Sequence, residues 1–261
     1  MGTTPSNTFV SPPHSVTVQG AYEPFDLQIA RNQIMGHDHI DLFGYSIVVG
    51  STAMGPLWEG LTGSGGNYPF PASAAQIVVV SSSASDTAVT MVINGLDANF
   101  APITESVAIN GTTNVTTVNS FLRINSVITS AGNAVGNVTF TSGATVIAKV
   151  NAGVGQTQMG LYTVPAGYTL YLNYFQADGN TTTTSGAFMN TRIKTTLNPS
   201  GVVLVSGQST YLNNLTVTYD IPFQVTEKTD FEFQFQGSGG AGARQNCYAG
   251  GYLIKNDSQT P

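Results

Sequence analysis

The stretch Phe231-Glu232-Phe233-Gln234-Phe235-Gln236 decides the fold class. Apolar and polar residues alternate at every step, which is the period of an extended strand whose side chains point to opposite faces in turn. The three phenylalanines share one face, each worth roughly 2–3 kcal/mol if fully buried. Glu232, Gln234 and Gln236 are expected on the other face, pointing out. Upstream, Thr229 and Asp230 read as a turn entering the strand, with Lys228 set among Glu227, Asp230 and Glu232. Downstream, the glycine-rich run 237–242 resembles a phosphate loop only superficially. The strand-like run 247–254 follows it, not a helix whose N-terminus would hold an anion, so it reads as a hairpin tip.

Working outward, the same style repeats along the chain. Strand-like runs occur at 45–49, 76–80, 87–93, 103–109, 121–128, 138–141, 145–150, 159–164, 168–175, 188–194, 202–205 and 215–219. Asn94-Gly95 and Asn110-Gly111 read as turns that tolerate positive φ. In 168–175, Tyr168, Leu170, Leu172 and Tyr174 fall on one face. Thr181 to Thr184 reads as a polar loop. The only helix candidate is 23–35, which Pro24 could open. Turn signals at roughly 8–12-residue spacing argue for a sandwich or barrel. The expected class is all-β, an antiparallel β-sandwich of jelly-roll-like kind in one or two β domains. The expected organisation is an extended, proline-bearing N-terminal arm (1–40), a first β region (41–155) and a second β-sandwich region (156–261).

Composition narrows the function classes. Charged residues make up 8 % of the chain, against about 25 % in an average soluble domain. With 10 % aromatics and many β-branched residues the chain is expected to fold and not remain disordered. A surface of hydroxyls and amides suits packing against other copies, because little charge is desolvated on assembly. Net charge is −6, and residues 1–122 carry a single basic residue, Arg31. No basic cluster exists to contact phosphates, so nucleic acid and anionic membrane surfaces are not expected partners. The polar start, Met1 to Val10, does not read as a signal peptide, and no apolar run reaches the roughly 18 residues of a spanning helix. The Asn-x-Ser/Thr sequons read as a by-product of Asn- and Thr-rich composition.

No catalytic constellation stands out, and no cofactor is expected. Ser64, in Gly63-Ser64-Gly65-Gly66, lacks the Gly-x-Ser-x-Gly pattern of an activated nucleophile. The lone Cys247 has no disulfide partner and sits in a strand-like run, so it reads as core. No pair of carboxylates is singled out for glycosidase chemistry. His37, His39 and Asp41 would lie on one side of an extended segment and are the weak metal candidates; a polar lead into the first strand is the favoured reading. The long loop 50–71, with Trp58, Tyr68 and Phe70, supplies the interface candidates.

Several segments taken in order carry a family resemblance. They are Val80-Ser81-Ser82-Ser83-Ala84-Ser85-Asp86, Ile93-Asn94-Gly95-Leu96-Asp97-Ala98-Asn99-Phe100, Thr104-Glu105-Ser106-Val107, Asn110-Gly111-Thr112-Thr113 and Ser120-Phe121-Leu122-Arg123-Ile124. Ala152-Gly153-Val154-Gly155-Gln156-Thr157, Tyr162-Thr163-Val164-Pro165-Ala166-Gly167-Tyr168 and Val225-Thr226-Glu227-Lys228-Thr229-Asp230 follow. Together, over roughly residues 35–255, they resemble virion structural proteins of marine and cyanobacterial tailed phages; the N-terminal arm departs from them. The resemblance implies a β-rich, oligomeric, non-enzymatic protein, made in the host cytoplasm and carried on the capsid exterior. Within such proteins the expected role is capsid cement or decoration: a homotrimer that binds the major capsid protein and clamps capsomers. The alternative is a tail, head-fibre or baseplate component contacting host glycans.

Overall fold

The computed structural model describes residues 23–49, 53–60, 68–180, 188–237 and 243–256. The arm reading for residues 1–22, the Ser64 loop, the polar loop at 181–184 and the tip at 238–242 lie outside the described residues. Within them the chain is almost entirely strand, and every strand pairing is antiparallel.

Two β-sandwiches are present, and one is inserted into the other. The outer sandwich uses β1 (His37–Val49), β10 (Leu161–Thr163), β11 (Tyr168–Asn180), β12 (Met189–Leu197), β13 (Val202–Tyr211), β14 (Asn214–Val225), β15 (Thr229–Gly237) and β16 (Ala243–Lys255). One sheet runs β1-β16-β11-β14 and the other β10-β15-β12-β13, with the short β2 (Gly55–Pro56) added beside β15. The chain passes repeatedly between the two sheets, giving the jelly-roll-like order of two interlocked Greek keys. Its core contains Leu170, Leu172, Phe175, Phe231, Phe233 and Phe235. Phe231 and Phe233 meet edge to face at 4.8 Å.

The inserted sandwich is contiguous: β3 (Ala75–Ser81), β4 (Thr90–Leu96), β5 (Pro102–Ala108), β6 (Val115–Phe121), β7 (Arg123–Ala131), β8 (Val138–Ser142) and β9 (Thr145–Val150). Its sheets run β6-β3-β8-β9 and β5-β4-β7, closed over Ile77, Val79, Met91, Ile93, Phe121 and Phe140.

These pairings correct the sequence-based division at several points. β1 belongs with the C-terminal strands, so the region 41–155 is not one unit. The arm does not extend to residue 40, because β1 starts at His37 and pairs with β16 from His37↔Ile254 onward. Before it, α1 (Phe25–Ala30) follows Pro24, shorter than the 23–35 window. Asn94-Gly95 lies inside β4 and is not a turn. A Cβ on Gly95 would stand 2.2 Å from the Arg123 carbonyl oxygen and 2.7 Å from Phe121, so this glycine answers a close backbone approach. The run 121–128 is split at Leu122, where β6 of one sheet passes into β7 of the other. Tyr174 does not share the face of Leu170 and Leu172. A bulge between Leu172 and Tyr174 resets the alternation, and Phe175 and Ala177 turn inward instead.

Buried polar links hold individual loops. Ser81 Oγ donates to Asp86, which also accepts the amides of Val135 (2.9 Å) and Gly136 (3.0 Å). Burial raises the Asp86 pKa, but these donors more than offset it and hold the carboxyl below its ordinary value.

Candidate assembly surface

The interface candidates of the 50–71 loop lie inside the chain. Trp58 and Tyr68 are buried, at 3 % and 6 % exposure, and meet edge to face at 5.2 Å. Phe70, half-buried, continues the stack at 4.6 Å from Tyr68. Trp58 bridges to Met159, where the chain returns from the insertion, so these aromatics fill the junction between the two sandwiches. The contacts these rings make are intramolecular, and their burial leaves Trp58 and Tyr68 no surface for another subunit.

An ion pair locks the same junction. Arg123 opens β7 and reaches Asp230 of β15 with Nε–Oδ1 at 2.8 Å and Nη2–Oδ2 at 3.0 Å, both side chains buried. Arg123 Nη1 also donates to the carbonyls of Pro71 (2.6 Å) and Leu122 (2.9 Å). Its guanidinium lies over Phe70 (5.0 Å) and near Phe100 (5.7 Å). Asp230 accepts further bonds from Thr163 (2.6 Å) and Asn198 (2.9 Å). Such a pair is charge-assisted, bidentate and fully partnered, which is the arrangement that offsets desolvation.

Asp230 is therefore no surface turn residue. Glu232 and Gln234 do face away from the phenylalanines, but they too are buried, because β15 runs between β10 and β12 with both faces covered. Glu232 pairs with Lys194 at 2.8 Å and Gln234 with Arg192 at 2.8 Å. Glu59, beside Trp58, is a second buried carboxylate at the junction; both its oxygens accept the Gln158 amide at 2.8 Å. Burial pushes its pKa up to about 7. Cys247 is buried core, and burial pushes its thiol up to about 12.

Of the metal candidates, His37, His39 and Asp41 all point to the outer face of the β1-β16-β11-β14 sheet. His39 Nε2 lies 3.3 Å from Asp41, and the same carboxylate oxygen accepts Tyr248 Oη at 2.8 Å. His37 packs instead against Phe25 at 6.1 Å. Among the described residues no three His, Cys, Asp or Glu side chains converge as a metal would need. Nor is any described helix long and apolar enough to cross a membrane.

The exposed apolar surface sits elsewhere, on β13. Among the described residues this strand is the edge of its sheet and pairs only with β12. Val202, Val203, Leu204 and Val205 are 49 %, 52 %, 51 % and 48 % exposed. Successive residues face opposite sides of a strand, so both sides of this edge are apolar. Natural edge strands are usually blunted by lysine, proline or inward charge; β13 contains no charged residue and no proline. Two residues, Leu212 and Asn213, connect it to β14, the edge of the other sheet, which exposes Ile221. In sequence 202–205 reads as one more strand-like run; nothing in its composition separates a core strand from a bare edge.

No family model and no curated protein matches the chain. The VP2 subviral particle of infectious bursal disease virus is 9 % identical, with a TM-score of 0.21 over 90 % of this chain and 78 % of that one. T=1 particles derived from the same virus are 11 % identical, with a TM-score of 0.22 over 85 % of this chain and 71 % of that one. Overlap this slight carries no argument about the present chain.

Proposed function

We propose that the chain is a structural subunit of a tailed-phage virion, self-associating through the β13 edge. The observation that carries this reading is the uncharged row Val202-Val203-Leu204-Val205, half-exposed on both sides of an edge strand. Covering what remains exposed of four such side chains is worth roughly 3–6 kcal/mol per subunit. A neighbouring copy covers it without burying a charge, consistent with a chain of which 8 % is charged. Closed rotational symmetry is the usual outcome for such a subunit, and a trimer is the form expected.

On the particle, the role we propose is cement or decoration: the oligomer binds the major capsid protein on the outer surface and clamps neighbouring capsomers. A ligand that binds only the assembled shell stabilises it by mass action. The sequence resemblance to phage virion proteins supports this reading. Two measurements test it. Sedimentation of the purified chain should give a trimer that Leu204→Lys converts to monomer; a wild-type monomer would refute the assembly claim. An imaging reconstruction of the virion should place the chain on the capsid shell, and density at the tail alone would reject the cement role.

A further inference from the structure

The outer face of the β1-β16-β11-β14 sheet carries a second surface, unlike the β13 edge in chemistry. Its centre is Gly250. Strand register sets Asp41 on one side of this glycine and Tyr174 on the other, with Tyr248 and Tyr252 two residues away along β16. A Cβ at position 250 would stand 2.7 Å from the Tyr174 ring, so the glycine lets that ring lie across the strand and form a floor. Helix α1 closes one side: Asp26 accepts the Tyr252 hydroxyl, and Phe25 meets the Tyr252 ring edge to face at 5.8 Å. The trough between helix and floor encloses about 410 Å³, and Asn173, His39 and Tyr252 also line it.

We propose that this trough is a binding site for a neutral saccharide of one or two sugar units. The volume lies in the range of small-molecule sites. The lining joins a tyrosine ring, suited to the C–H face of a pyranose, to the Asn173 amide, the Asp26 carboxylate and the His39 imidazole, which accept from and donate to hydroxyls. Other ligand classes fit less well. No lysine or arginine lines the trough, so an anion finds no counter-charge. An ammonium cage needs rings held apart around the cation. Here Tyr174 and Tyr248 already touch at 5.7 Å, as do Phe25 and Tyr252. A purely apolar ligand would strip water from Asn173 and His39 with no replacement bond. An extended peptide finds no open strand edge, since β16 is paired on both sides.

The site lies on a sheet face and not on the β13 edge, so it stands or falls separately from the assembly reading. The test is saturation-transfer NMR on the full chain, using the methyl glycosides of glucose, galactose, mannose, N-acetylglucosamine and rhamnose, with choline as a cationic probe. At least one glycoside should receive saturation, strongest on the protons of one ring face, with a millimolar dissociation constant. Tyr174→Ala should abolish the signal, and Asn173→Ala should weaken binding by roughly tenfold. His39→Ala, a change at an exposed side chain, serves if Tyr174→Ala does not fold, with Trp58 fluorescence reporting folding; it should weaken the signal likewise. Silence from all five glycosides, a signal untouched by Asn173→Ala and His39→Ala, or saturation of choline alone would each overturn the proposal.

Discussion

Replacing Arg123 by methionine keeps an unbranched chain against Phe70 and Phe100 but removes the charge that faces Asp230. The wild-type pair has two short bonds, 2.8 and 3.0 Å, between side chains that are both buried. Breaking such a pair from one side costs about 3–5 kcal/mol, most of it the uncompensated charge left behind. Thr163 and Asn198 still donate to Asp230 in the variant, which places the expected loss near the lower end, about 3 kcal/mol. Removing both partners, as Arg123→Met with Asp230→Leu, should cost less than either single change, because no orphaned charge remains. Urea unfolding followed by Trp58 emission is the natural assay: it is the sole tryptophan, buried in the same junction. A loss below about 1 kcal/mol in Arg123→Met, or a double variant as costly as the two singles summed, would refute the claim that this pair locks the two sandwiches together.

Glu59 should make stability depend on pH near neutrality. Its folded pKa of about 7 lies above the ordinary 4.5, so the folded state holds the proton more tightly. Stability is then fully present below the ordinary value and falls as pH rises through 7, by up to about 3 kcal/mol. Glu59→Gln should flatten that slope and be the more stable protein at alkaline pH; an unchanged slope in denaturation midpoints would count against it. Asp86 acts in the opposite sense: its pKa lies below the ordinary 3.8, so its contribution is present above that value and lost on further acidification. Asp86→Asn should cost about 1.5–3 kcal/mol at neutral pH and shrink the difference from wild type in acid, read by thermal melts across the range. Gly95→Ala should destabilise by about 1–3 kcal/mol, because its Cβ has only 2.2 Å to the Arg123 carbonyl; a neutral result would mean the β6–β7 corner yields freely.

The period-two pattern made the strand content legible, and nowhere better than in 231–236, because alternation is a local property of the chain. Three things were not local. Which strands share a sheet depends on closure, so β1 was grouped with its sequence neighbours when its partner is β16, some two hundred residues away. Alternation says which side chains share a face, not whether the second face is covered. Glu232 and Gln234 are buried because β15 is central, while 202–205 is bare because β13 is an edge. Glycine carries two meanings, turn and close approach: Asn110-Gly111 is a turn, with φ of 54° at the glycine, and Asn94-Gly95 is not. Of the site residues, Trp58, Tyr68 and Phe70 were recognisable as contact-makers, but not that their contact is internal. His37, His39 and Asp41 were legible as side chains on one side of an extended segment, and they share the outer face of β1. The tyrosines that surround them come from strands β11 and β16, and no spacing in the sequence announces that meeting.

The insertion also dictates an order of events during synthesis. Residues 75–150 form a closed seven-stranded unit with its own core, all of it made before β10 leaves the ribosome. The outer sandwich has the opposite property. Its sheet β1-β16-β11-β14 is seated by the last strand made, which slides between β1 and β11. Until then those two strands present open edges, and β1 waits for β16, its one sheet neighbour among the described residues. Long-range pairing of this kind folds slowly and leaves sticky intermediates. The nascent chain therefore passes through a stage with one finished domain tethered to one unfinished, aggregation-prone one. A chain cut short before β16 stays at that stage, with the facing edges of β1 and β11 both open.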